Sequence, residues 1–221
     1  MNALVEGARA VAFDLDGTLV DSAPDLAVAA NRMLDALGLP PLAEERIAAA
    51  IGDGIDALVV RTLAESAGKP AREDLAVRAA RIFRELYAER VFDAGTVYEG
   101  VREGLAALAA RGLPLGCITN KASPFTTALL ERAGLARWFS FVECADAMEQ
   151  RKPAPYLLLK ACAGLGIAPR ELLFVGDSGL DAAAARAAGC PVMLVDYGYN
   201  RGTRVEDAGA DALIASLAEL G

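Results

Sequence analysis

The stretch Val11-Ala12-Phe13-Asp14-Leu15-Asp16-Gly17-Thr18-Leu19-Val20-Asp21-Ser22 organises the chain. It opens on a short apolar run and passes into carboxylates, a glycine and hydroxyl residues. An apolar run of this length, closed by turn residues, predicts a buried strand. The polar residues then fall where the strand stops. In open parallel sheets that edge is where ligands bind. Asp14 and Asp16 are two residues apart, so extended backbone turns both carboxylates to the same side. Gly17 permits the sharp departure that follows.

Downstream, Ser22-Ala23-Pro24-Asp25 has the form of a capping box with proline in the first turn. The helix it predicts carries Leu26, Ala29, Ala30, Met33, Leu34 and Leu37, and stops at Gly38 and Pro40-Pro41. A short helix is expected over 43–51, broken by Gly52-Asp53-Gly54. A third carries Ile55, Leu58, Val59, Thr62 and Leu63 to Gly68, and a fourth Leu75, Ala79, Ile82, Phe83 and Leu86. Residues 20–92 therefore read as helices with no strand between them, a set suited to packing as a bundle.

From Tyr98 helix and strand alternate. A helix around Val101, Leu105 and Leu108 precedes an apolar run at 113–118 that ends in Thr119-Asn120-Lys121. Ser123-Pro124 caps the next helix, and 139–144 reads as a strand. Lys152-Pro153 is expected to open a helix reaching about Gly164. The run 172–175 ends in Gly176-Asp177, an Ala-rich helix stops at Gly189, and the strand 192–195 ends in Asp196. The alternation predicts an α/β fold, a doubly wound Rossmann-like parallel sheet covered on both faces. Residues 1–19 and 93–221 form this core. Residues 20–92 form an inserted α-helical cap directly after the first strand.

Composition narrows the chemistry. The chain has 221 residues, 54% of them hydrophobic, enough to bury a sizeable core. No apolar run approaches the roughly 18 residues of a membrane span. The N-terminal Met1-Asn2-Ala3-Leu4-Val5-Glu6-Gly7 lacks the features of a signal peptide, so a cytoplasmic location is expected. The four cysteines are widely spaced without a C-x-x-C pair and read as small buried hydrophobes. The net charge is −8 and no Lys/Arg run is present, which argues against a nucleic-acid partner. There is no histidine. Histidine triads, histidine–metal sites and a histidine base are thereby excluded.

Three apolar runs end in polar residues: Asp14 and Asp16, Thr119 and Asn120, and Asp177. A parallel sheet sets these ends along one edge. Each alone is ordinary turn chemistry; together they suit phosphoryl transfer. Asp14 can attack phosphorus in line and become an aspartyl phosphate. Asp16 can protonate the leaving oxygen and then take a proton from water. Clustered carboxylates repel one another and repel phosphate. A divalent cation offsets this, and oxygen ligands favour Mg²⁺, with Asp177 a third contributor. Thr119 and Asn120 can donate to phosphate oxygens, and Lys152 at a helix start would attract anions. In the cap, Gly52-Asp53-Gly54 is the candidate loop reaching the site, and Arg61 a candidate partner for a substrate carboxylate.

With these residues in place, the chain resembles the haloacid dehalogenase superfamily along its whole length. Asp14-Leu15-Asp16-Gly17-Thr18 matches the first motif, Thr119 the second, Lys152 the third and Gly176-Asp177-Ser178-Gly179-Leu180-Asp181 the fourth. The resemblance implies Asp14 as nucleophile and Asp16 as acid/base. It implies Mg²⁺ held by the Asp14 side chain, the Asp16 carbonyl and Asp177, with Asp181 supporting the site and Lys152 steadying nucleophile and phosphoryl group. Within the superfamily the chain looks most like the phosphoglycolate phosphatase branch, on Asp14 to Ser22, Ile51-Gly52-Asp53-Gly54, Thr119-Asn120-Lys121 and Val195-Asp196-Tyr197-Gly198-Tyr199-Asn200. The expected substrate is a small phosphorylated metabolite, first 2-phosphoglycolate. A sugar phosphate, N-acetylmuramate 6-phosphate or pyrophosphate, a mutase acting on such esters, and an inactive binding or regulatory module are the alternatives. The expected state is a monomer or homodimer.

Overall fold

In a computed structural model of the protein, residues 3–200 and 204–221 are described. Met1 and Asn2, the start of the segment examined for a leader, lie outside them. A short helix α1 (Ala3–Glu6) leads into β1 (Ala10–Phe13). Then follow β2 (Val20–Asp21), α2 (Ala23–Ala36), α3 (Glu44–Ala48), α4 (Ile55–Ala67), α5 (Glu73–Glu89) and β3 (Thr96–Val97). The remainder alternates: α6 (Val101–Ala110), β4 (Leu115–Thr119), α7 (Ser123–Arg132), β5 (Phe141–Cys144), α8 (Tyr156–Leu165), β6 (Leu172–Gly176), α9 (Gly179–Ala188), β7 (Val192–Val195) and β8 (Ala212–Ile214). No helix among the described residues is long and apolar enough to cross a membrane.

Six strands form one parallel sheet in the order β5-β4-β1-β6-β7-β8. β1 is central, with Phe13 in register with Cys117 on one side and Val175 on the other. Successive residues of β1 feed opposite faces, as a period of two requires. Val11 and Phe13 join the core shared with α6 and α7, while Ala10 and Ala12 join the core under α8 and α9. Both faces are covered, so β1, β4, β6 and β7 are buried throughout. The connection from β1 goes to β4 on one side and the chain returns to β6 on the other. That reversal opens a crevice at the carboxyl end of β1.

The helices α2 to α5 pack on one another, with Met33, Leu34, Ile47, Leu63, Phe83 and Tyr87 buried. The chain leaves the sheet side through β2 and returns through β3, which pair antiparallel at Val20↔Val97 and Asp21↔Thr96. This ribbon was not foreseen, because a two-residue strand carries no periodic signal.

The expected capping box at Ser22 is not formed. Ser22 is the N-cap residue of α2 but makes no side-chain cap. Its hydroxyl donates to Asp16 instead. Asp25 is buried and accepts backbone N–H groups of Asp93, Ala94 and Gly95 at 3.2, 2.9 and 2.8 Å. It thus ties the outgoing chain to the returning one. Replacing Asp25 with Ala leaves these N–H groups without their acceptor. An expected loss of about 2–3 kcal/mol in urea unfolding checks the assignment.

The helix expected to open at Lys152 starts only at Tyr156. Pro153 and Pro155 push their preceding residues out of the α region, so 152–155 form a turn. The Lys152–Pro153 peptide bond is cis. Lys152 thus lies outside the first turn of α8.

Candidate active site

Asp14 follows β1 directly, and its N–H donates to Val175 O at 2.9 Å. That bond continues the β1–β6 ladder for one residue, which carries the carboxyl to the sheet edge. Asp14 and Asp16 both line the cavity between sheet and helical layer, so the two-residue spacing brings them together as expected. Leu15 between them is fully buried and anchors the loop.

Lys152 is the central cation. Its Nζ lies 2.8 Å from Asp14 Oδ1 and 2.6 Å from Asp181 Oδ1, in an almost completely buried setting. Burial works against this charge, but the two carboxylates outweigh it and hold its pKa above the usual range. The Asp14 carboxyl moves the other way. Burial pushes it up to about 7, with Asp181 adding to the effect and Lys152 opposing it.

Asp177, at the end of β6, is buried and raised well above the usual carboxylate range, first by burial and then by Asp181 and Asp14. It accepts from Thr18 Oγ1 at 3.2 Å and Tyr199 N at 2.6 Å. Gly17 packs against it with φ of 90°; a Cβ built there would stand 2.4 Å from Asp177 Oδ2. The turn after β1 thus needs glycine for its left-handed backbone and for the approach of the carboxylate.

Asp181 has no oxygen to spare. Oδ1 faces Lys152, and Oδ2 accepts Asp177 N at 3.3 Å, Ser178 N at 3.1 Å and Ser178 Oγ at 2.6 Å. Its contacts tie Lys152 to the start of the loop after β6.

Oxygens of Asp14, Asp177 and Asp181 all lie within 4.8 Å of one another. Asp14 Oδ1 is buried without an aligned hydrogen-bond donor. Mutually repelling buried carboxylates suit a hard divalent cation with oxygen ligands.

Thr119 closes β4, is buried and lines the same cavity. Its Oγ1 accepts Lys121 N at 3.2 Å, which leaves the hydroxyl proton to donate. Asn120 is placed differently from its expected role. Its Nδ2 donates to Gly52 O at 2.9 Å and Lys152 O at 3.1 Å, and its Oδ1 accepts Lys152 N at 2.7 Å. The amide side chain therefore ties two core loops to the Gly52 loop.

Gly52 and Gly54 line the cavity, with Leu26, Ile51, Ile55 and Leu58 as the apolar wall facing the sheet edge. Arg61 is not among the lining residues. It pairs with Asp53 and donates to Ala50 O at 3.1 Å. Asp53 in turn offers its carbonyl to Arg151 Nη1 at 3.2 Å, and Arg151 Nη2 reaches Asp56 at 3.3 Å.

Sequence reasoning passed over Lys121 as a catalytic-site group. It is buried, and its Nζ stands 2.9 Å from both oxygens of Asp16. Burial works against this charge, but Asp16 outweighs it and holds the pKa above the usual range. Tyr199 was also unassigned: its hydroxyl receives Ser22 N at 2.8 Å and Ala23 N at 2.9 Å and donates to Asp21. Lys121 follows Thr119-Asn120 and was open to inference. Tyr199 lies 177 residues from Ser22, and no local signal links them.

Comparison with known proteins gives the family. Residues 8–189 match the family model described as haloacid dehalogenase-like hydrolase. The phosphoglycolate phosphatase of Chromobacterium violaceum is 49% identical over 212 residues, covering 96% of this chain and 94% of its own. The phosphoglycolate phosphatase of Escherichia coli K12 is 44% identical, covering 97% and 92%. Among solved structures, a predicted phosphoglycolate phosphatase from Haemophilus somnus superposes with a TM-score of 0.91 at 34% identity, covering 97% and 96%. CbbY from Rhodobacter sphaeroides, in complex with phosphate, gives 0.80 at 27% identity, covering 97% and 96%. A parallel α/β sheet with this motif order, matched along nearly its whole length, makes the chain a member of the haloacid dehalogenase-like hydrolase family.

Proposed function

We propose that the protein hydrolyses a small phosphomonoester, 2-phosphoglycolate first among them, through an aspartyl phosphate on Asp14. The observation that carries this reading is the meeting of Asp14, Asp16, Thr119 and Lys152 at one cavity system beneath the helical layer. The names of the relatives support the choice of substrate.

In this reading an oxygen of Asp14 attacks phosphorus in line, and the bond from phosphorus to the substrate oxygen breaks. Asp16 gives that oxygen its proton, and the alcohol leaves. Asp16 then accepts a proton from water as the water oxygen attacks phosphorus. The bond between phosphorus and Asp14 breaks, releasing phosphate and restoring both carboxyls. Thr119 donates its hydroxyl to the phosphoryl group. Lys152 offsets negative charge at Asp14, and Asp181 holds Lys152 in place. Mg²⁺, held by the side chains of Asp14 and Asp177 and the Asp16 carbonyl, supplies further positive charge and polarises the phosphoryl group when bound.

Residues 20–92 act as the cap over this site, and 1–19 with 93–221 as the catalytic core. The β2–β3 ribbon and the Asp25 clasp are then the junction between them.

The test is kcat/KM over a panel of phosphate esters with Mg²⁺. A preference of about tenfold or more for 2-phosphoglycolate over sugar phosphates is expected, and a flat profile overturns the substrate assignment. Chelation should stop turnover. Added Mg²⁺ should raise the melting temperature, because it binds only the folded carboxylate cluster. The increment should shrink as pH falls below 7, because burial brings the Asp14 pKa to about 7 and protons then compete with the ion. A melting temperature insensitive to Mg²⁺ at neutral pH would remove the metal from the scheme.

A further inference from the structure

We infer that Lys121 is the residue that recognises the carboxylate of the substrate and so sets specificity for carboxylate-bearing phosphate esters; the inference rests on the substrate reading above. Lys121 is the one cationic side chain lining the cavity beneath the helical layer, among the described residues. Lys152 lines the adjoining floor and is already shared by Asp14 and Asp181. Arg61 is held by Asp53 and the Ala50 carbonyl, outside the cavity wall.

The Lys121 ammonium is built to hold a carboxylate. It lies 2.9 Å from each oxygen of Asp16. A lysine carries three N–H donors; the two Asp16 oxygens engage the ammonium and the Tyr87 hydroxyl lies beside it, so a substrate carboxylate would claim the donor next to Tyr87. Its position is set by the helical layer. The ammonium lies 5.1 Å from the centre of the Tyr87 ring on α5. Tyr87 is fully buried and packs against Phe125 of α7, with ring centres 5.2 Å apart. A charge fixed in this way needs little ordering when a ligand arrives.

The rest of the wall narrows the ligand further. Leu26, Ile51, Ile55 and Leu58 offer no side-chain hydrogen-bonding group to a sugar hydroxyl. A polyol would leave polar groups unpaired against them. A short chain with one terminal carboxylate meets the single cation and lets its methylene face the apolar wall. Phosphate beside Asp14 and carboxylate beside Lys121 then both fall within the one cavity that these two side chains line.

The test compares 2-phosphoglycolate with 2-hydroxyethyl phosphate, which replaces the carboxylate by a hydroxymethyl group. The quantity read is the ratio of the two kcat/KM values, because loss of Lys121 also disturbs Asp16 and lowers both. In Lys121→Met this ratio should fall about 30-fold or more, mainly through KM for 2-phosphoglycolate. Lys121→Arg, which keeps the charge, should retain most of the ratio. Calorimetric binding of 2-phosphoglycolate in an Asp14→Asn background, with and without Lys121→Met, gives a readout without turnover; affinity should fall by a similar factor. An unchanged ratio with unchanged affinity would overturn the role of Lys121. A wild-type ratio near one fails the substrate assignment itself, a result distinct from an unchanged ratio in the variant. A variant that does not fold, seen by circular dichroism, passes the decision to Lys121→Arg, where loss of the ratio despite a retained fold and charge would count against the assignment.

Discussion

Asp14→Asn should lower kcat by about 10⁴-fold or more while the protein stays folded. An amide oxygen is a poor nucleophile toward phosphorus, and no neighbouring group is placed to replace Asp14. Asp16 is occupied by Lys121 and Ser22. Asp181 is saturated by Lys152 and the Ser178 turn. Asp177 is held by Thr18 and Tyr199. The stability side of the expectation comes from burial. Desolvation is the largest influence on Asp14 and raises its pKa to about 7, so its ionised form is held at a cost in this site. The amide removes one member of a repelling carboxylate cluster. Lys152 keeps Asp181 as a partner at 2.6 Å. Melting temperature in the absence of metal should therefore be equal to or above that of the parent. Substantial turnover in a folded Asp14→Asn protein would refute the covalent scheme.

Lys152→Met should cost both activity and stability. The substitution keeps most of the side-chain volume and removes the charge. Two buried carboxylates, Asp14 and Asp181, then face one another without the cation that separates them. Breaking a buried ion pair from one side costs about 3–5 kcal/mol, and urea unfolding without metal should show a loss of that order. Turnover should fall by about 10²-fold or more, from loss of positive charge at the phosphoryl site. The pH profile gives the sign. Lys152 lowers the Asp14 pKa, so its removal raises that pKa further. The acid limb of residual activity should move to higher pH, because Asp14 must be ionised to attack. A limb that stays in place, with stability unaltered, would show that Lys152 does not govern Asp14.

The strands were legible where they are long and buried on both faces. The apolar runs opening at Val11 and at 113–118, 172–175 and 192–195 stand out, within a residue or two of the strands formed, because parallel strands between two helical layers need no polar side. β8 escaped notice. It is three residues at the sheet edge, with Leu213 exposed, and shows no run to detect. The helices of 20–92 were legible from their apolar spacing, whereas β2 and β3 depend on a pairing across more than seventy residues of chain.

The polar residues show the same division more sharply. Asp14, Asp16, Thr119, Lys152 and Asp177 stood at the ends of apolar runs or before a proline, positions that local spacing marks. Their partners could not be assigned that way. Ser22 and Asp25 have the spacing of a helix cap. They are drawn instead to Asp16 and to the backbone of 93–95, because Ser22 and Asp25 are themselves buried and their side-chain oxygens would otherwise be unpaired. Asn120 is engaged in the same way by Gly52 and Lys152.

What could be read along the chain was the class of fold, the run of helices after the first strand and the polar residues that close the buried strands. These follow from periodicity, strand-end position and side-chain type, all local properties. Which charge meets which was decided only by folding. Lys121 reaches Asp16 across 105 residues and Lys152 reaches Asp181 across 29. A buried ion takes the partner that packing brings within about 3 Å, whatever its distance along the chain.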